Sequence, residues 1–459
     1  MKLNKLIALI LAGTLLLGSC NDDDGPEIPI KVNFSNTSLG LTDAVSVTVT
    51  FSRPLSTSGS VDVAVSAPAL AYGAGEDYYT EPAAQDGMIS VPYDAGDEAL
   101  TLTVSAGGSL NIQQDRTIIL SLMEEDGLTL GNDVEAVITV SENFVAPDGT
   151  ININGGGSEF PNQSYIDLSK LTQTVVDKYS WDLGFYTEAG EFYVRLNSSA
   201  AVMARPLDGS DLNSVTAQDT LGFAFEMTVP PPNFDSSIGS SAWVDTPDGD
   251  LTTSAFGEIS STDADNKVFV IKRDGEGRSW RKVRVLRSAS GYTIQHAEIG
   301  ATTFQTTEVA KDASYNFVTF DFDNGLVNAE PPKASWDIMY STYTEILSFG
   351  PGASIPYLFS DFVPLNTGST TVSMVMIADI SFENFSSADL PNLTFENAKD
   401  ALGENWRQGG GPGQAPSLYE DRFFVIKDGE GHYYKIRFTQ LLDGNGERGN
   451  PSFELNLVQ

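Results

Sequence analysis

The chain has 459 residues, 62 of them acidic against 26 basic, for a formal net charge of −36. A surface that acidic repels phosphate backbones and anionic headgroups, which excludes nucleic-acid binding and leaves any membrane attachment to something other than charge. The one cysteine, Cys20, excludes an internal disulfide, so stability has to come from hydrophobic cores.

Lys2 and Lys5 precede an apolar run at 6–17. The run falls short of the roughly 20 residues a spanning helix needs, and it fits the core of a signal peptide. It ends in Leu17-Gly18-Ser19-Cys20, which resembles the bacterial lipobox, where the cysteine is acylated and the peptide is cut before it. Residues 1–19 are thus expected to be a signal peptide and 20–29 a lipidated tether. Two acyl chains, at about 0.8 kcal/mol per buried methylene, hold a protein on a membrane without a spanning helix. Asn21 and then Asp22-Asp23-Asp24 resemble the surface-export signal of Bacteroidetes-type lipoproteins. That implies an outer-membrane, cell-surface location, with the lipid as the membrane contact. Removing both N-terminal lysines leaves 24 − 62, or −38, on the mature chain. Its 459 − 19 = 440 residues leave room for about three domains at ~150 residues each.

The remainder predicts an all-β fold: an N-terminal β-sandwich followed by two tandem homologous β-rich domains. Runs such as Val45-Ser46-Val47-Thr48-Val49, Thr117-Ile118-Ile119-Leu120 and Val137-Ile138-Thr139-Val140 are rich in β-branched residues. The best helical spacing is Phe395, Ala398 and Leu402 behind Thr394, which predicts one short helix.

Residues 30–145 carry Ala74-Gly75-Glu76-Asp77-Tyr78, then Gly87-Met88-Ile89-Ser90-Val91 and Asp94-Ala95-Gly96-Asp97-Glu98. Ile118-Ile119-Leu120-Ser121-Leu122 and Leu130-Gly131-Asn132 follow. This order resembles a Calx-beta domain, a sandwich whose family holds calcium at acidic domain ends. Here the last strand runs into Ser141-Glu142-Asn143, and Thr42-Asp43 stands where an acidic pair is usual. Hard oxygen ligands are too few for a calcium cage, so a calcium-free spacer is expected.

The rest of the chain repeats itself. Ser180-Trp181-Asp182-Leu183-Gly184-Phe185 matches Ser335-Trp336-Asp337-Ile338-Met339-Tyr340, and Val268-Phe269-Val270-Ile271-Lys272 matches Phe423-Phe424-Val425-Ile426-Lys427. Both blocks are 155 residues apart, since 336 − 181 and 424 − 269 are equal. Asp274-Gly275-Glu276-Gly277 then matches Asp428-Gly429-Glu430-Gly431 if Arg273 is an insertion. Two homologous domains are expected at 146–302 and 303–459. The second block reads as strand, Gly-containing turn, strand. In the first, both tryptophans are expected as core anchors, with a ligand site as the alternative, and each Asp is expected to satisfy turn or backbone donors.

These blocks resemble the HmuY-like family of surface lipoproteins, which shows a Trp-Asp-Ile-Ala-Phe-type strand early and a Tyr-Val-Ile hairpin late. Residues 423–438 and Ser452-Phe453-Glu454-Leu455-Asn456-Leu457 fit the family's ending. The resemblance implies haem binding outside the cell and delivery to an outer-membrane transporter. Family members set two His or two Met between the blocks. Here that stretch holds Met203 and Met227 in the first copy and Met374 and Met376 in the second, with no His. Met227, Met374 and Met376 are the haem-ligand candidates, and core filling is the competing role of each. Met374 and Met376 are expected on one strand face. His296 and His432 stand at unlike places in the two copies and predict no shared metal site.

No thiol nucleophile, Gly-x-Ser-x-Gly elbow, Walker loop or His-Glu-x-x-His occurs, so catalysis is not expected. Arg273, Arg278, Arg281, Lys282, Arg284 and Arg287 cluster in an acidic chain. They offer an anion site or, more simply, pairs with acidic neighbours. Gly409-Gly410-Gly411-Pro412-Gly413, behind Trp406 and Arg407, reads as a connecting loop with the alternative of a lid. The expected function is surface ligand capture, with haem as ligand. The alternative is an adhesion or scaffold lipoprotein that keeps the fold without haem ligands.

Overall fold

The computed structural model describes residues 29–459 except 111–115, 126, 142–143, 224–240, 349–353, 411–413 and 445. Cys20 and Met227 lie outside the described residues. The described residues form strands joined by turns and short 3-10 segments.

The N-terminal sandwich packs two five-stranded sheets. One runs Tyr78–Glu81, Ala99–Ala106, Ala44–Phe51, Ile30–Phe34 and Leu128–Leu130; the other runs Ser38–Leu41, Glu135–Val140, Arg116–Leu122, Gly59–Ser66 and Met88–Tyr93. Period-two alternation places the core: Val45, Val47, Val49 and Phe51 are buried along one face of their strand. In the Gly-rich turn ahead of Tyr78, Gly73 takes φ +148° and Asp77 accepts the Ala71 N–H at 2.8 Å.

The duplicated part is built by reciprocal exchange. The strand Leu183–Tyr186 of the first repeat pairs with Phe317–Asp321 of the second, and Ile338–Ser348 of the second pairs with Asn162–Asp167 of the first. The two five-stranded sheets do the same at their edges. Gln305–Ala310 closes the sheet of Met203–Pro206, Val268–Lys272, Arg281–Arg287 and Gly291–Glu298. Asp148–Asn152 closes that of Thr371–Met376, Arg422–Lys427, Tyr433–Gln440 and Ser452–Leu457. Residues on both sides of position 302 therefore share four sheets, and the repeats interlock. The exchange satisfies edge strands that would otherwise present unpaired backbone groups.

The stretch expected to be helical is not. Residues 394–402 run as turns and an isolated bridge from Glu396 to Val372. Phe395 and Leu402 do not share a face: Phe395 packs on the cluster around Phe382 and Phe423, Leu402 on the one around Trp406 and Phe438. Tertiary packing pulls the two apart, and a few residues of weak helix propensity cannot resist it.

Candidate functional site

The Trp-Asp pairs form two matching nodes where the exchanged strands end. Trp181 and Trp336 are buried, as core anchors. The Asp182 N–H donates to the Phe320 carbonyl at 2.8 Å and its Oδ2 accepts from the Phe322 N–H at 2.9 Å. In the other node the Asp337 N–H donates to the Ile166 carbonyl at 2.7 Å and Oδ2 accepts from the Leu168 N–H at 2.9 Å. Asn197 and Asn366 complete the match. Asn197 donates Nδ2 to the Lys178 and Trp181 carbonyls, and Asn366 to those of Lys333 and Trp336. The side chains thus satisfy backbone groups that the ladders cannot reach. One bond breaks the symmetry: Trp181 Nε1 donates to Gln163 Oε1 at 2.7 Å, while buried Trp336 Nε1 has no partner.

The free carboxylate oxygens meet different company. In the first node Asp182 Oδ1 accepts from Arg273 Nε at 2.8 Å and from Arg278. A second Arg273 nitrogen reaches Asp323 Oδ2 at 2.7 Å and Asp321 Oδ2 at 3.2 Å. The Arg273 side chain is 0% exposed. Burial pushes the Asp182 carboxyl up to about 6 against the pull of Arg278 and Arg273. Arg281 pairs with Asp323 and Glu298 and Arg287 with Glu258, while Arg284 donates to the Asn266 and Asp263 main-chain carbonyls. This is the acidic-neighbour pairing rather than an anion site.

Among the described residues no arginine fills the corresponding place in the second node. Arg273 directly follows Lys272, which ends its strand; 155 residues on, Asp428 directly follows Lys427. Asp337, Asp167 and Asp428 are 6%, 8% and 3% exposed, and with Glu430 they line a cavity of about 340 Å³. Asp337 Oδ1 accepts the Gly429 N–H at 3.2 Å. Asp167 Oδ1 accepts from Ser169 Oγ at 2.9 Å and the Lys170 N–H at 3.0 Å. Burial first, and Asp167 and Asp428 nearby, push the Asp337 carboxyl up to about 7. Burial also raises that of Asp167. Lys170 Nζ lies 3.6 Å from Glu430 Oε2, and Lys333 lines the cavity as an exposed side chain. His432 Nδ1 sits 3.0 Å from Asp428 Oδ2. Asp428, Glu430 and His432 each bring one donor atom within 4.8 Å of the others, close enough to share a metal ion.

The remaining candidates disperse. Met203 is 0% exposed in the core of the first repeat. Met374 is 47% exposed on Thr371–Met376, with Arg422 Nη1 3.7 Å from its sulfur, and half-buried Met376 lies two residues on along the same strand. His296 is buried against Phe320 and Phe322, and burial lowers its pKa. Trp406 is a core residue rather than part of a lid, stacked on Phe438 with ring centroids 4.0 Å apart. Sequence reasoning missed the carboxylate cavity because it treated Arg273 as an insertion. An ungapped reading past the two lysines would have set Arg273 against Asp428.

A β-sandwich followed by a duplicated all-β unit, interlocked by strand exchange, is the class that this architecture defines. Residues 159–455 match the family model described as HmuY protein, and the chain belongs to the HmuY family. Solved structures with likeness to it include apo PinO from Porphyromonas gingivitis. That likeness has 12% identity and a TM-score of 0.22, covering 68% of this chain and 97% of the other. An HmuY-like heme binding protein from Bacteroides vulgatus is 9% identical with a TM-score of 0.15, covering 68% and 93%. The apo Calx CBD1 domain is 14% identical with a TM-score of 0.20, covering 24% and 96%. No curated protein matches the chain. No helix among the described residues is long and apolar enough to cross a membrane.

Proposed function

We propose that the chain is a lipid-anchored surface protein that captures haem outside the cell and passes it to an outer-membrane transporter. Membership of the HmuY family is the background, and exposed Met374 is the observation that carries the haem reading. The residue is 47% exposed, and its thioether is a soft axial donor of the kind haem iron accepts. Arg422 pairs through Nε and Nη2 with Asp421 and sets Nη1 beside the sulfur, so a propionate there would share a guanidinium already paired with a carboxylate. Met227 is the further ligand candidate. The anchor in this reading is the acylated Cys20.

Titration of the chain with haemin, followed in the Soret region, tests it. A shifted, saturable band that weakens in Met374→Ala is expected; no shifted band with the unaltered chain would sink the reading. One observation favours the second reading, an adhesion or scaffold lipoprotein that keeps the fold. Met374 and Met376 project from the same face of one strand, so together they cannot hold both faces of a porphyrin.

A further inference from the structure

A crevice of about 30 Å³ lies between the repeats, walled by Arg195, Asp245 and Ser254 of the first and by Trp336, Tyr343 and Lys399 of the second. The backbone fixes Lys399 there. Its N–H donates to the Asp248 carbonyl at 2.7 Å, and its carbonyl accepts from the Leu365 N–H at 2.9 Å. The side chain starts against Gly249, at φ +82°, where a Cβ would stand 2.9 Å from that of Lys399. It ends with Nζ 5.5 Å from the centroid of the Tyr343 ring. Gly249 and Tyr343 both wall the crevice, so the half-buried lysine runs along it from one to the other.

The amine has no counter-charge of its own. Among the described residues Nζ makes neither an ion pair nor a hydrogen bond. The acids nearby are committed elsewhere: Glu330 to Arg195, and the two oxygens of Asp245 to the Leu196 and Ala255 N–H groups. Burial, and then the charge of Arg195, lower the pKa of Lys399 to about 7. A desolvated lysine beside another cation is the arrangement that makes an amine nucleophilic near neutral pH. Ser254, 9% exposed, walls the same crevice, and its Oγ has no partner among the described residues.

We propose that Lys399 captures a short hydroxyaldehyde as a Schiff base, with Ser254 Oγ bonding the hydroxyl of the adduct. The Nζ lone pair attacks the carbonyl carbon, and the carbonyl oxygen leaves as water with the two amine hydrogens. With glycolaldehyde the imine adds two carbons and one oxygen to the side chain. A water-sized group needs at least about 10–15 Å³ of such space, so the crevice holds two or three of them. The site is separate from Met374 and does not depend on haem binding.

Reductive trapping tests the proposal: the full chain is incubated at about pH 7 with glycolaldehyde or acetaldehyde and cyanoborohydride, and labelled lysines are mapped by peptide mass. Lys399 is expected to react at least about tenfold faster than exposed Lys267, because far more of it is neutral amine. Measured against Lys267, glycolaldehyde is expected to outpace acetaldehyde at Lys399. Ser254→Ala is expected to erase that preference and leave the acetaldehyde rate unchanged. Labelling of Lys399 no faster than that of Lys267 would overturn the proposal. A preference for glycolaldehyde that survives in Ser254→Ala would overturn the role given to Ser254.

Discussion

Arg273 and Asp428 stand at equivalent places in the two repeats, both 3% exposed, and they carry opposite charge. The duplicated fold thus holds one node closed by its own cation and a second that opens onto a cavity.

Arg273→Met should be severely destabilising. It leaves buried Asp182 with Arg278 alone and buried Asp321 without the arginine it pairs with, although the methionine fills much of the volume. Losing one side of a buried pair costs about 3–5 kcal/mol. Urea unfolding of the variant against the unaltered chain measures it, and a loss below about 1 kcal/mol would contradict the closed-node description.

Stability should fall as pH rises from about 4 to about 7. The Asp337 carboxyl is raised from 3.8 to about 7 by burial and then by Asp167. Across that window the folded chain keeps a proton that the unfolded chain has released, so raising the pH favours unfolding. Asp182, raised to about 6, and Glu345, raised to about 7, act with the same sign. Unfolding free energies measured across this range should decline, and Asp337→Asn should make the decline shallower. An unchanged slope in that variant would show that Asp337 does not titrate as described.

The two tryptophans should respond unequally to phenylalanine. Trp181→Phe removes the donor to Gln163 Oε1, and Gln163 is 1% exposed, so an acceptor is left buried without its partner. That adds about 1–3 kcal/mol to the packing loss. Trp336→Phe forfeits no hydrogen bond. Denaturation midpoints of the two variants should therefore separate, with Trp181→Phe the weaker protein.

Gly449→Ala should cost more than Gly446→Ala. Both glycines have positive φ, +103° and +81°. A methyl at Gly449 would press on the Gly157 carbonyl oxygen, where the second repeat's last hairpin meets the first repeat, whereas Gly446 has open space. The backbone strain alone is about 1–3 kcal/mol and is common to both, so the difference between the variants reads the close approach. Equal thermal midpoints would refute that contact.

Much of the architecture was legible because it is local. Val45, Val47 and Val49 alternate in the sequence and alternate in burial, and period two alone sets that pattern. The 155-residue spacing of Trp181 and Trp336 marked two equivalent units, and they form equivalent nodes. The reciprocal pairing of Leu183–Tyr186 with Phe317–Asp321 had no such signal. A strand's own residues state which face is apolar, not which distant strand will close its edge. The expected helix at 394–402 failed for the same reason, since Phe395 and Leu402 answer to different cores.

By itself the sequence determined composition-borne properties: strong negative charge, β-strands with defined apolar faces, a duplication, and motifs of the HmuY family. The tertiary structure alone decided which carboxylates share a cavity. Asp167 lies 170 positions before Asp337 and 261 before Asp428, and only strand exchange between the repeats brings the three together. Charge interactions depend on distance and burial, and both are set by the fold rather than by the order of residues along the chain.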